Sequence, residues 1–452
     1  MQRLLFARIE VWVLVALLLI GFLMTILFGA VVLREERESG KYGVLGATSI
    51  AIAEIPDTVK SILKNKDRML AHAQSRAGDP SGWSFQNAAA GSGISGYWLL
   101  SRFEPQERRS IIEMVRLSDG QVMHEWRPDV DSILATAKRT THVANKENWT
   151  NGIFRYFSPL LLENGDLILK DSASPLFRVD ACARPVWMQD ATMFHHSTEP
   201  DGAGGFWIPS HIEPSKIPRV SEKFFDDALA HVSQDGKILN EISVAEILIR
   251  HGMQHVVFPP GVINLDPIHL NDIEPVLSDG PFWRAGDLFL SLRHPAMIML
   301  YRPSTDEIVW MQQGPWMAQH DVDIIDDSRI SIYDNRAYFR GVDGRVDGTS
   351  DIVVYDFATK TMSLPHHQAM LDAKMLTLFE GVYAALPGGG FVAEDTPSGM
   401  LLLVGADGKK LGQFVNSDSD GKVYQIGWGR YVDENMGNQI LLQIKGLTCD
   451  GE

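Results

Sequence analysis

Two kinds of short segment recur along the chain between about residues 110 and 444, and this repetition is what most constrains the fold. One kind is an apolar strand, a polar turn and a second strand that often ends in tryptophan, as in VRLSDGQVMHEW (115–126). The other is a strand, a turn that often carries glycine, and another strand, as in SPLLLENGDLILKD (158–171). Each kind occurs six times, and such a period is typical of repeat architectures.

Pairing the two series predicts six units of four strands. The last segment of the second kind, near residues 429–444, has no partner after it, and the first segment of the first kind, near 110–126, has none before it. Together they complete one unit, so the ring closes and leaves no free sheet edge. We therefore predict an all-β, six-bladed β-propeller over residues 96–452, closed by pairing of its N- and C-terminal strands.

An uncharged apolar run, Val11 to Leu33, precedes this body. Its length is enough to span a bilayer as a helix, and it exceeds the apolar core of most cleaved signal peptides. We predict a membrane anchor and flank at 1–40, in preference to a cleaved signal, and a linker with a short helix at 41–95. Basic residues flank the run on both sides. Since a folded body after an N-terminal anchor is most often exported, we expect the propeller on the periplasmic side.

The formal net charge of −16 argues against binding to nucleic acid, because no basic segment offsets it. The two cysteines, Cys182 and Cys449, match no metal-binding spacing. A disulfide between them and two buried thiols are both open from the sequence.

In a propeller the first strand of each blade, the inner strand, lines the central channel. Polar residues gather where the repeat places the ends of these inner strands and the turns beside them. The repeat puts His196, Asn271 and His320 at equivalent positions of three adjacent units. One histidine in a β protein is usually structural. Several at one end of a channel are costly to bury without a ligand, so the group indicates a functional site. The candidate residues are His195, His196, His269, Asn271, Arg293, His320 and Asn335.

The chemistry of this group favours an anion over a metal ion. Imidazoles are good metal ligands, but a guanidinium such as that of Arg293 cannot ligate and repels a cation. We therefore predict no metal site and no cofactor.

Tryptophans that close the repeats are interpreted as packing residues. The histidines outside the repeat pattern are interpreted as surface or structural residues: His72, His124, His142, His231, His366 and His367.

Four segments that carry the candidate residues resemble a known family. They are MFHHS (193–197), DPIHLNDI (266–273), SLRHP (291–295) and AQHDVDIIDDSRISIYDN (318–335). In this order they resemble the PAPS-independent bacterial arylsulfotransferases, over about residues 160–440.

The resemblance implies a periplasmic six-bladed propeller that moves a sulfuryl group from an aryl sulfate to a phenolic acceptor through a sulfohistidine. By motif, His320 is the implied nucleophile. His269, Arg293 and either His195 or His196 would hold the sulfuryl oxygens, with His196 preferred, and Asn271 would assist. Unlike the family's well-known enzymes, this chain has an apolar N-terminal run and no two cysteines close in sequence. The natural donor and acceptor therefore stay open, and the candidates for the acceptor include an envelope glycan or lipid. The subunit number stays open as well.

Two other classes of function compete with this interpretation. A membrane-tethered propeller without catalysis would serve as an interaction platform, because fold alone does not fix function. A metal-dependent hydrolase on a propeller would need a metal, and its metal content would distinguish it.

Overall fold

The computed structural model describes residues 10–37, 41–64, 69–71, 74–86, 94–138, 149–218, 220, 224–259, 265–340, 343–447 and 449. The chain divides into two compact units, Met1–Arg68 and Met69–Glu452. The sequence-based domain scheme, with boundaries at residues 40 and 95, stays a prediction.

Two helices make up the described part of the first unit: α1 (Val11–Arg37) and α2 (Gly43–Lys64). The segment Val11–Glu35 is long and apolar enough to cross a membrane, and an N-terminal signal sequence would meet the same criterion. An apolar helix at the N-terminus is therefore confirmed. The short helix predicted in the following linker is found as α2.

The second unit is built from strands, with short helices between them. The strands in chain order are β1 (Gly82–Phe85), β2 (Tyr97–Glu104), β3 (Arg109–Arg116), β4 (Val122–Trp126), β5 (Leu160–Leu161), β6 (Leu167–Leu169), β7 (Ser174–Val179), β8 (Pro185–Phe194), β9 (Glu199–Pro200), β10 (Phe206–His211), β11 (Asp227–Val232), β12 (Ile238–Ser243), β13 (Leu270–Pro275), β14 (Leu288–Leu292), β15 (Met297–Arg302), β16 (Glu307–Gln313), β17 (Val322–Ile324), β18 (Arg329–Asp334), β19 (Ala337–Arg340), β20 (Asp343–Val346), β21 (Asp351–Asp356), β22 (Thr361–Ser363), β23 (Val382–Ala385), β24 (Phe391–Asp395), β25 (Met400–Val404), β26 (Lys410–Val415) and β27 (Arg430–Val432). The helices are α3 (Val130–Ile133), α4 (Val244–Arg250), α5 (Gln254–Val257), α6 (His367–Asp372) and α7 (Glu434–Ile444).

Four sheets of this unit are separate and have four or five strands, as expected of propeller blades. Their strand orders are β27-β2-β3-β4, β13-β14-β15-β16, β17-β18-β21-β22 and β1-β26-β25-β24-β23. Every strand pair in them is antiparallel. The all-β, propeller-like fold predicted from the repeats is thus confirmed.

Six separate blades are not supported, because one larger sheet takes up the strands between β5 and β12. Its eight strands run β12-β11-β10-β8-β7-β6-β5, with β9 pairing to β10. One residue pair, Ser210 and Phe194, joins β10 to β8. The sheet thus contains two runs of four consecutive strands connected at a single point.

The last strand of the second unit lies in the same sheet as its second strand. The C-terminal strand β27 pairs with β2, with Tyr97 opposite Val432 and Leu99 opposite Arg430. A second long-range link is the disulfide between Cys182 and Cys449, whose Cα atoms are 5.3 Å apart. Of the two alternatives left open by the sequence, the structure therefore has the disulfide.

Two segments differ from the sequence prediction. Residues 434–444, predicted as part of a strand pair, form helix α7, because Asp433 caps the helix by accepting hydrogen bonds from the N–H groups of Asn435 (2.8 Å) and Met436 (3.4 Å). Residues 82–85, predicted as linker, form β1 and extend the β23–β26 sheet. Apolar side chains alternate along this strand and reach the sheet core, which explains why it is not a linker.

The hydrophobic core consists of clusters between neighbouring sheets. Between the β13 sheet and the β17 sheet, for example, Phe289 and Leu300 pack with Ile332. These layers fix each sheet against the next, so residues at the strand ends hold defined positions around the centre.

Candidate functional site

The candidate residues lie where the chain enters or leaves the inner strands. His196 and His269 each precede an inner strand and have positive φ values, 52° and 53°. Ala318 has the same conformation (φ 53°) two residues before His320. His196 therefore matches His269, whereas Asn271 matches His320. The register predicted from the repeat, with His196 equivalent to His320, is wrong by two residues because it ignored these turns.

Three imidazole rings converge at this end of the sheets. The ring centroid of His196 is 5.3 Å from that of His269 and 6.1 Å from that of His320. His320 is buried, and the other two are half-buried. The structure thus brings together three of the histidines that the sequence singled out.

The hydrogen bonds of His320 define which of its nitrogens carries the proton. Nδ1 lies 2.7 Å from Oδ1 of Asn335 and 3.0 Å from the carbonyl oxygen of Ala318, both of which are acceptors. Nε2 accepts the backbone N–H of Glu380 at 3.0 Å. The proton therefore sits on Nδ1, and the lone pair sits on Nε2.

Asn335 owes its orientation to backbone carbonyls. Its side-chain NH₂ donates to the carbonyl oxygens of Thr377 (3.0 Å) and Glu380 (2.7 Å), which leaves Oδ1 to accept from His320. Asn271 is also fully buried and donates to the carbonyl oxygen of Gln319 at 2.8 Å. Both asparagines thus hold the wall of the site in place.

Arg293 follows β14 directly and supplies the positive charge. Its Nη1 is 2.9 Å from Nε2 of His294, and its guanidinium lies 5.4 Å from the ring centroid of Phe339. Its Nε is buried and has no hydrogen-bond partner among the residues that the structure describes. This unmet donor is what an anionic ligand would satisfy.

His269 forms a pair with a carboxylate. Its Nδ1 is 2.6 Å from Oδ2 of Asp266, three residues earlier in the chain. A carboxylate on one nitrogen fixes the tautomer and leaves the other nitrogen available as a base.

His195 faces away from the three-ring cluster. Its Nε2 is 3.4 Å from Oδ1 of Asp227, and its ring stacks on that of His211 at 4.3 Å. Its Nδ1 lies 2.8 Å from Nδ1 of His196. His195 therefore contacts the cluster only through His196.

Burial favours the neutral form of two of the clustered imidazoles, those of His196 and His320. Burial first, and then the charge of Arg293, lowers the pKa of His320 well below its usual range. Burial and the neighbouring histidines do the same to the pKa of His196. Burial also lowers the pKa of Arg293, whereas Asp266 opposes that shift. Neutral imidazoles beside a guanidinium provide both a nucleophile and positive charge.

Several residues at the site had no signal in the sequence pattern. The ring of Trp428 lies 5.9 Å from that of His196 and 6.0 Å from that of His320. Phe157 packs against both Trp428 and His196, at 5.0 and 5.8 Å. The buried Lys170 donates to the carbonyl oxygen of His196, and burial lowers the pKa of this amine to about 7. Trp428 lies far along the chain from the histidines that it contacts, so only the tertiary structure brings them together.

Trp428 also lines a cavity that contains several carboxyl groups. This cavity of about 320 Å³ is lined by Glu199, Asp321, Asp323 and Arg430, among others. Arg430 holds Glu199 with two hydrogen bonds of 2.7 and 2.8 Å.

Two groups of side chains lie close enough to hold a metal ion, which spacing along the sequence did not predict. One is His195, His211 and Asp227, and the other is Asp266, His269 and His294. The first group comes from the ends of three neighbouring strands, and the second combines one turn, with Asp266 and His269, and the turn after another strand, with His294.

The residues interpreted as structural are mostly engaged elsewhere. His231 pairs with Asp201 at 2.7 Å, and His124 with the carbonyl oxygen of Ala181 at 2.9 Å. His366 and His367 contact Tyr383 and Asp351. His72 and His142 lie outside the described residues.

Comparison with solved structures gives only distant likenesses. A protein of unknown function from Bacteroides caccae is 11% identical, with a TM-score of 0.46, over 75% of this chain and 99% of that one. A chain of a nidogen/laminin complex is 9% identical, with a TM-score of 0.41, over 75% and 98%. No curated protein matches the chain.

A sequence model of one family covers more than half of the chain. It matches residues 158–416, which include all seven candidate residues and both halves of the eight-stranded sheet. The chain therefore belongs to the arylsulfotransferase (ASST) family.

Proposed function

We propose that this protein transfers a sulfuryl group from an aryl sulfate to a phenolic acceptor, with His320 as the nucleophile. The observation that carries the proposal is the convergence of three imidazole rings beside a guanidinium with an unmet N–H donor. Sulfuryl transfer spreads negative charge over three oxygens, as phosphoryl transfer does, and positioned cationic donors stabilise such a transition state.

In the first step, Nε2 of His320 attacks the sulfur. The N–S bond forms, the bond from sulfur to the aryl oxygen breaks, and the aryl oxide leaves as an anion, which solvent protonates. Nδ1 keeps its own proton because Asn335 Oδ1 and the carbonyl oxygen of Ala318 accept hydrogen bonds from this N–H. The N–H of Glu380 occupies Nε2, so this bond lengthens as the donor binds, and the N–H then lies beside the sulfuryl oxygens.

In the second step, the acceptor phenol attacks the same sulfur and the N–S bond breaks. The phenol proton goes to a base, and His269 suits this role since Asp266 fixes its tautomer. Arg293 and His196 hold the sulfuryl oxygens in both steps. Asn271 supports the strand beneath His320 through its bond to Gln319.

We also infer a six-bladed ring, a membrane anchor and an extracytoplasmic site. A count of six blades takes the eight-stranded sheet as two four-stranded runs, which a single residue pair joins. The length of the apolar helix supports an anchor. The disulfide supports an oxidising compartment such as the periplasm. A phenolic or glycan group of the envelope is then within reach as acceptor.

The test uses the full-length protein in detergent with 4-nitrophenyl sulfate as donor and phenol as acceptor. Release of nitrophenol should depend on phenol, and His320→Ala should lower it on the order of 10³-fold or more. Rapid mixing with donor alone should leave one sulfuryl group on His320, seen by mass spectrometry of a peptide digest.

His231→Ala is the matched control, because His231 also pairs with an aspartate but lies outside the site. Full activity of a folded His320→Ala variant would exclude the nucleophile assignment. Release that does not need phenol and stops on chelation would favour a hydrolase. The absence of any release by folded protein, across several donors, would favour an interaction platform.

A further inference from the structure

We propose that His195, His211 and Asp227 form a zinc-binding site behind the three-ring cluster. Zinc binding at this site does not depend on the proposed transfer chemistry.

Neighbouring strands of one sheet hold the three side chains at the same edge. His211 is the last residue of β10 and lies directly opposite Asp227, the first residue of β11. His195 follows β8, and its N–H donates to the carbonyl oxygen of Pro209 at 3.0 Å. The backbone ladder therefore fixes all three ligands before any ion arrives.

The ligand atoms lie within 4.8 Å of one another, and the two distances to Asp227 match those around a tetrahedral ion. Oδ1 of Asp227 is 3.4 Å from Nε2 of His195 and 3.3 Å from Nε2 of His211. With zinc–ligand bonds of about 2.0–2.1 Å, neighbouring ligand atoms of a tetrahedron lie about 3.3–3.4 Å apart. An octahedral site with similar bonds would bring them to about 3.0 Å. The spacing is too wide for good hydrogen bonds, so direct pairing leaves these atoms poorly satisfied.

Burial makes that poor pairing costly. The exposed fraction is 3% for His195 and 1% for Asp227, and the His211 side chain is 12% exposed. Nε2 of His195 has no hydrogen-bond partner within the described part of the chain. A divalent cation would satisfy the carboxylate and both imidazoles together.

The surroundings orient the ligands as the second shell of a metal site does. Oδ2 of Asp227 accepts the N–H of Leu270 at 3.0 Å, which leaves Oδ1 for the ion. The carbonyl oxygen of His211 accepts from Thr192 at 2.7 Å. Nitrogen ligands favour zinc over calcium or magnesium, which prefer all-oxygen sites.

The ion would also set the proton on the neighbouring histidine. Zinc on Nε2 of His195 leaves the proton on Nδ1, which then donates to Nδ1 of His196 at 2.8 Å. The remaining proton of His196 is then on Nε2, available to a sulfuryl oxygen.

The second group with metal-ligand spacing is less suitable, since its nitrogens have other partners. Nε2 of His294 accepts from Arg293, and its Nδ1 contacts the carbonyl oxygen of Asp266. A guanidinium at this distance repels a cation.

The test is zinc binding by the full-length protein in detergent, after removal of metals by chelation. We expect one zinc ion per chain by elemental analysis and calorimetry, and a tetrahedral visible spectrum when Co²⁺ replaces it. His211→Ala should weaken binding by about 100-fold or more, and Asp227→Asn, which keeps the size of the side chain, by at least about tenfold.

His231→Ala and His294→Ala are the matched controls, each of which should keep the ion. Circular dichroism establishes that each variant is folded. The proposal is overturned if the wild-type protein binds no zinc, if folded His211→Ala and Asp227→Asn bind it as the wild type does, or if only His294→Ala loses it.

Discussion

At the scale of the residue, partners rather than residue type decide what each histidine does. His320 has Asn335 on one nitrogen and a backbone N–H on the other, so its lone pair is fixed on Nε2. His269 has a carboxylate on Nδ1. His195 turns to Asp227 and His211 instead. The neighbouring side chains thus give three identical rings three different chemical roles.

A prediction at this scale concerns Asp323 in the acidic cavity. Burial, and then the charge of Glu199, raises the pKa of Asp323 to about 7. The folded protein therefore binds more protons than the unfolded chain between about pH 4 and 7, and its stability falls as the pH rises through this window. Asp323→Asn should raise the free energy of unfolding at pH 8 by about 1–2 kcal/mol, measured by urea denaturation, with little effect near pH 4.

Asp326→Asn is the control with the opposite sign. Arg329 holds the pKa of Asp326 below its usual range, with a 2.8 Å hydrogen bond from Nε. Its contribution is present at neutral pH and is lost on acidification, so this substitution should slightly destabilise the protein at pH 8. Equal effects of the two substitutions would contradict the assignment of the Asp323 shift.

At the scale of the element, single turn residues before the inner strands aim the functional side chains. Five residues that lie shortly before an inner strand have φ values between 49° and 65°. They are Ser158, His196, His269, Ala318 and Glu380. This backbone conformation is unusual for residues other than glycine and is common at functional sites. The recurrence of the turn, more than the repeat of strands, sets the register of the site.

A prediction at this scale concerns the N-terminal cap of α7. Asp433→Ala removes an acceptor for the N–H groups of Asn435 and Met436, and it should lower the free energy of unfolding by about 1 kcal/mol. Thermal or urea denaturation measures the change. Asp433→Asn keeps the cap and should behave nearly as the wild type. A loss of the same size in both variants would show that the cap is not the cause.

At the scale of the whole molecule, two long-range links tie the C-terminal segment to the rest of the second unit. Strand β27 joins the sheet of β2, β3 and β4. The disulfide joins the turn after β7 to Cys449, 267 residues later. A disulfide that closes such a long loop restricts many conformations of the unfolded chain.

A prediction at this scale is the effect of removing the disulfide. The double variant Cys182→Ser, Cys449→Ser should lower the free energy of unfolding by about 2–4 kcal/mol. The wild type in reducing buffer should unfold at the same temperature as the variant, which is the control. An unchanged unfolding temperature in both would mean that the link does not contribute to stability.

The sequence by itself determined the all-β, propeller-like fold, the apolar N-terminal helix and the family to which the chain belongs. Strand and turn periodicity is local, and apolar length is a simple property of the chain, so both can be read without contacts. The motifs around His196, His269, Arg293 and His320 likewise marked the residues that the structure brings together.

Only the tertiary structure decided the register of the site, the direction in which His195 faces, and the pairing of the two cysteines. It also showed helix α7 where the repeat predicted strands, because a cap and burial of Ile440 and Ile444 outweigh a weak strand pattern. The partners Trp428, Glu380 and Asp227 lie far along the chain from the rings that they contact. Such contacts depend on ring closure and packing between sheets, which local sequence does not encode.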